Sequence, residues 1–168
     1  MHYTSWDRSE TDAPVLLVED GPQELGRFTA ETAAVNGSTW KLDFDKNAGA
    51  TATLLDGRVF RAVGNFRKDK TIEVVLGDRQ FTFVNENSNN WIVDDAASEK
   101  VAQFSGANHG VRKAILEFEG EAALPVEEVA ALSWFARLIL ESRLSKSSTA
   151  VIGTLAIMTV VAILAFIF

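Results

Sequence analysis

Residues 129–140 read VAALSWFARLIL, twelve positions that carry a single charge, Arg137. Pro125 stands just ahead of them, where a first helical turn tolerates proline. Glu127 and Glu128 fall at the positive end of the resulting dipole and Arg143 at its negative end. The stretch therefore predicts a helix over about residues 126–144. A helix lying on a sheet shows a polar face about half its circumference, and this one is apolar nearly all round. Such a helix needs protein on every side. Crossing a membrane is the weaker alternative, because about eighteen residues rise only about 27 Å and Arg137 sits near the middle.

The enclosing structure is written upstream. In TWKLDFD (39–45), Trp40, Leu42 and Phe44 alternate with Lys41, Asp43 and Asp45, the period-two pattern of a sheet with one wet face. Asp56-Gly57 and Gly77-Asp78 lie between apolar runs and predict two-residue hairpin turns. Further strand candidates include PVLLV (14–18), ELGRFTA (24–30), TIEVVL (71–76) and KVAQFSG (100–106). About ten strands with almost no helix among them predict a mainly β fold, an antiparallel barrel or sandwich, and the late helix selects the barrel. Asp94-Asp95 reads as part of a hairpin turn, since neighbouring residues of a strand point to opposite faces and make a poor carboxylate pair.

Composition narrows the function classes. The 168 residues contain no cysteine, which excludes disulfides, thiolate metal sites and cysteine nucleophiles. The formal charge is -7, and the first 31 residues hold seven of the acidic side chains against Arg8 and Arg27. That balance suits nucleic acid poorly, because phosphate backbones are bound through clustered Lys and Arg. Residues 1–12 read as an acidic amino-terminal tail, ahead of a domain at 13–144. MHYTSWDRSETDAP has neither the basic nor the apolar region of a signal peptide, so the amino terminus is expected in the cytoplasm.

Residues 149–168, TAVIGTLAIMTVVAILAFIF, carry no charge at all. Twenty helical residues rise about 30 Å, the thickness of a bilayer hydrocarbon core. A linker at 145–148 separates this segment from the helix, and Arg143 and Lys146 precede it, which places the domain on the cytoplasmic side. The expectation is a single-pass tail anchor. On it Thr149, Gly153 and Ala156 share one face, a candidate helix–helix interface with other membrane subunits.

Two segments carry a family resemblance. WIVDDAASEKVAQFSG (91–106) joins an aromatic-apolar strand to a second strand through an acidic turn, and RKAILEFEG (112–120) leads by a short loop into LPVEEVAALSWFARLIL (124–140). Over about residues 13–144 the chain resembles the tubby carboxy-terminal-like superfamily, which includes the LURP-one-related proteins and the phospholipid scramblases. The resemblance implies a twelve-stranded barrel closed around a carboxy-terminal helix. In members that bind phosphoinositides, basic side chains on the barrel meet the lipid headgroup. The scramblases' cysteine cluster and proline-rich arm have no counterpart here.

RVFRAVGNFRKDK (58–70) contains Arg58, Arg61, Arg67, Lys68 and Lys70 with Phe60 and Phe66 interleaved, a local positive island in an acidic chain. Near anionic lipid each such residue contributes about 1 kcal/mol, so the five are candidate headgroup ligands. The plainer alternative is a solvated hairpin whose phenylalanines face the core. His2 and His109, the two histidines, both read as solvated, and no phosphate loop, zinc spacing or nucleophile elbow is present. No catalytic, cofactor or metal residue is therefore expected. The sequence points to a non-catalytic, tail-anchored accessory or scaffolding subunit of a larger membrane complex, with lipid and other membrane subunits as partners. The alternative is a membrane-tethered, phospholipid-headgroup-binding or scramblase-like domain.

Overall fold

Alternation governs the chain from Tyr3 to Phe118 in the computed structural model, which describes residues 1–87, 90–106 and 115–144. The strands are β1 (Tyr3–Asp7), β2 (Val15–Val18), β3 (Glu24–Phe28), β4 (Thr32–Val35), β5 (Ser38–Asp45) and β6 (Gly49–Thr53). They continue with β7 (Val59–Val63), β8 (Thr71–Leu76), β9 (Arg79–Asn85), β10 (Asn90–Asp95), β11 (Lys100–Ser105) and β12 (Leu116–Phe118). Each pairs antiparallel with the next, and β1 pairs with β12 through Tyr3↔Glu117 and Thr4↔Leu116, so the sheet closes into a barrel. Closure leaves no strand edge exposed. Along β7 and β8, Phe60, Ala62, Ile72 and Val74 point inward and are buried, while Arg61 and Glu73 point out.

Strand β1 corrects the sequence reading. Residues 1–12 were expected as an acidic tail, yet Tyr3–Asp7 is the stave that closes the barrel, with Trp6 buried inside it. Its inward residues are Thr4 and Trp6, one polar and one apolar, which gives no apolar alternation to recognise. Strand β4 also lacked a prediction. Its inward residues are the small Ala33 and the buried Val35.

The turns follow glycine placement, with one revision. Gly77, at φ 64°, starts a two-residue turn between the paired Leu76 and Arg79, as predicted. Asp56-Gly57 instead belongs to a longer loop. Thr53 pairs with Val59, the Gly57 N–H donates to Leu54 O at 3.0 Å, and the Leu54 N–H donates to Arg58 O at 2.9 Å. Gly57 thus takes its positive φ as the extra residue of a bulged hairpin.

The helix α1 (126–144) occupies the barrel's interior. Every residue from Glu128 to Ala136 is buried, more than two full turns, so no face of that stretch meets solvent. Its side chains meet β1 and β3 on one side of the barrel. The Ser133 and Thr4 hydroxyls are 2.8 Å apart, and the Trp134 ring stacks on Phe28 at 6.4 Å. A helix without a polar stripe is stable here because the inward faces of the strands replace water all round it. No helix among the described residues is long and apolar enough to cross a membrane. The linker at 145–148 and the expected anchor at 149–168 lie outside the described residues.

Candidate functional site: the two ends of the barrel

Because the strands run up and down, their connections divide between two ends. The connections at 19–23, 36–37, 54–58, 77–78 and 96–99 gather at one end, and those at 8–14, 29–31, 46–48 and 64–70 at the other. The start of α1 meets the first set. Asn36 donates through Nδ2 to Glu127 Oε1 at 3.1 Å, and Arg79 Nη1 lies 3.4 Å from Glu128 Oε2. The Asn36 hydrogen bond and the backbone N–H of Glu127 hold the Glu127 carboxyl below its ordinary pKa. Burial pushes the Glu128 carboxyl up, with Arg79 opposing.

The last turns of α1 meet the second set, where the helix leaves. Arg137 lies with its guanidinium 4.7 Å over the Trp6 ring and donates through Nε to Glu141 Oε1 at 2.9 Å. Glu141 also pairs with Arg8 of the 8–14 connection at 3.3 Å. Arg143 donates through Nε to Phe66 O at 3.2 Å and through Nη2 to Asp69 O, with its guanidinium 4.5 Å over the Trp91 ring. The helix end is thus tied to the 64–70 loop and to β10 (Asn90–Asp95). Burial draws the Arg143 pKa down, with Asp69 opposing.

This geometry divides the five basic residues singled out above. Arg58 is at the helix-entry end, bonded through Nε to Asp56 Oδ2 at 2.7 Å. Arg61 projects from mid-β7. Arg67, Lys68 and Lys70 are on the 64–70 loop at the exit end, a strand's length of roughly 20 Å from Arg58. Phe60 and Phe66 are both buried. Phe66 anchors the loop, and the Phe66 N–H donates to Lys46 O at 3.0 Å. The loop leaves Lys68 and Lys70 exposed and Arg67 half-buried.

At the same end a cleft of about 870 Å³ opens between α1, β3 (Glu24–Phe28), β5 (Ser38–Asp45) and the connections beside them, and its Phe44 ring lies 5.6 Å from the Phe66 ring of the 64–70 loop. Phe28, Leu42, Phe44, Trp134 and Leu138 give it an apolar lining, and Asp12, Glu31 and Asp43 line it with exposed carboxylates. The sequence reading did not find this site. Its walls come from segments more than a hundred residues apart, and the only local signal was the surplus of acid near the amino terminus.

His2 is exposed, its Nδ1 3.2 Å from Gly120 O, and His109 lies outside the described residues, as do Thr149, Gly153 and Ala156. Asp94 is in the β10 ladder opposite Thr82, and Asp95 Oδ1 accepts from the N–H groups of Ala97 and Glu99, closing the turn that follows. Among the described residues no group of three His, Asp or Glu side chains converges in a way that could hold a metal ion. Comparison with family models, curated proteins and solved structures finds no match.

Proposed function

We propose that this protein is a non-catalytic accessory or scaffolding subunit of a larger membrane protein complex. Residues 149–168 anchor it, and a tubby-like barrel is its cytoplasmic domain. One observation carries this: α1 fills the barrel from end to end and brings the chain out at the exit end, just before the uncharged stretch. With its interior occupied by side chains, the barrel offers its ends and outer wall for work, which suits an adaptor. The twelve described strands and the enclosed helix support the tubby-like resemblance. Full-length protein should resist alkaline carbonate extraction from membranes and co-purify with partner subunits in mild detergent. Truncation after Ser148 should release a folded, soluble barrel. A truncated form that stayed in the membrane would end this assignment.

A phospholipid-headgroup function draws support from Arg67, Lys68 and Lys70, which share one loop at the exit end. On that account Gln at these three positions abolishes salt-sensitive binding of the truncated barrel to anionic vesicles, while Gln at Arg58 and Arg61 leaves it intact. Weak vesicle binding by the unmodified barrel favours the adaptor.

A further inference from the structure

We infer that the cleft at the exit end is a docking site for a basic peptide segment with a bulky apolar centre, supplied by a membrane-protein partner. The floor accounts for the apolar centre. Leu138 is half-buried and Phe44 is 39% exposed, although β5 turns Phe44 toward the barrel's inner side. These two leave apolar surface uncovered beside Trp134 and Phe28. A cleft of about 870 Å³ has room for several large side chains.

Charge identifies the rest. Asp12, Glu31 and Asp43 are exposed and form no ion pair with any described residue. The cation that lines the cleft, Arg137, is already engaged by Glu141 and the Trp6 ring. Its lining therefore presents three carboxylates without an ion-pair partner among the described residues, over an apolar floor. Such a surface repels anionic lipid headgroups and attracts Lys and Arg. Its position agrees with this chemistry. It opens at the end where α1 leaves, and membrane proteins carry an excess of Lys and Arg on the cytoplasmic side within about 15–20 residues of their spans. The membrane-proximal location rests on the proposed anchor, whereas the chemistry of the cleft does not.

The test uses the full chain in non-ionic detergent and a fluorescent probe peptide, Lys-Lys-Leu-Trp-Leu-Lys-Lys. A companion peptide has serine at the three apolar positions. The first peptide should bind in a salt-sensitive manner and the second much more weakly. Asp12→Asn, Glu31→Gln and Asp43→Asn together should weaken binding by about tenfold, the scale of three partly exposed charge pairs. Phe44→Ser alone should weaken it as well, and Gln at Arg67, Lys68 and Lys70 should not. Equal binding of both peptides, or binding unmoved by the acidic and Phe44 variants, would overturn the inference. Salt-sensitive binding of anionic phosphatidylserine vesicles in competition with the peptide would overturn it too, by assigning the cleft to lipid. Peptide binding by a chain that fails carbonate extraction would keep the cleft and remove the anchor. An extraction-resistant chain that ignores the peptide would do the reverse.

Discussion

Arg137 is the one charge in the central apolar run, and its surroundings explain why it is tolerated. An unpaired guanidinium inside a barrel is too costly, so the sequence required a carboxylate or an open mouth nearby. Glu141, one turn on, supplies the carboxylate, and the Trp6 face supplies a surface that a sequence pattern does not reveal. The two glutamates at the other end of the helix show environment deciding between identical groups. Both have an ordinary carboxyl pKa of 4.5. Glu127 is held lower, so its stabilising contribution is present above that value and is lost as the pH falls through the depressed one. Glu128 is held higher, so its contribution is present below 4.5 and is lost as the pH rises through the raised value. Replacing Glu128 with Gln should therefore be neutral or stabilising near pH 7, by less than about 1 kcal/mol, and lose that advantage near pH 4. Glu127→Gln should cost a few tenths of a kcal/mol near pH 7, since the group is partly exposed. Urea denaturation at the two pH values measures both. A Glu128→Gln variant destabilised more at pH 7 than at pH 4 would contradict this assignment.

At the scale of elements, several of the legible strands carry two large inward residues. Trp40 and Leu42 mark β5, Ile72 and Val74 mark β8, and Trp91 and Val93 mark β10. Strand β4 carries Ala33 and Val35 instead, but a signal for it was present. Asn36-Gly37, with φ 48° and 74°, forms the two-residue turn between the paired Val35 and Ser38, and this dipeptide is the strongest short-range mark of a hairpin. The basic run at 58–70 misled for a related reason. Five cations close in sequence read as one patch, but β7 runs through them and carries Arg58 to the opposite end from Lys68 and Lys70. Gly49, at the start of β6, shows how tightly neighbouring staves can approach. A Cβ there would lie 2.0 Å from the Ala62 carbonyl oxygen, and φ is 130°. Gly49→Ala should cost about 3 kcal/mol or more, through combined clash and backbone strain. A thermal melt within two or three degrees of wild type would show that the β6–β7 contact is looser than described.

For the whole molecule, the arrangement depends on matching a helix apolar on all sides to a barrel wide enough to hold it. The helix could be read from composition alone. The barrel around it was expected too, but the strand that closes it was not, since Tyr3 pairs with Glu117, at the far end of the chain's strands, from within a stretch that read as a tail. The acidic cleft was the least legible part, because it exists only once the barrel has brought distant connections to one end. Trp134 is only 4% exposed and touches both Phe28 and Phe135, so Trp134→Ala should cost about 3–5 kcal/mol. That loss would unfold a domain of ordinary stability, and a wild-type melt from this variant would mean that the helix does not fill the barrel.

The most direct test of the central claim, that α1 passes through the barrel, uses the natural absence of cysteine. Thr4 on β1 and Ser133 on α1 place their hydroxyls 2.8 Å apart and are both fully buried. Thr4→Cys combined with Ser133→Cys, oxidised during refolding of the full chain in detergent, should give an intramolecular disulfide that shifts the band on a non-reducing gel. Thr4→Cys combined with Leu144→Cys, which is at the far end of the described helix and half exposed, should give none. The account predicts a crosslink in the first pair alone. A folded protein in which the first pair stays reduced, or in which both pairs crosslink equally, would contradict it.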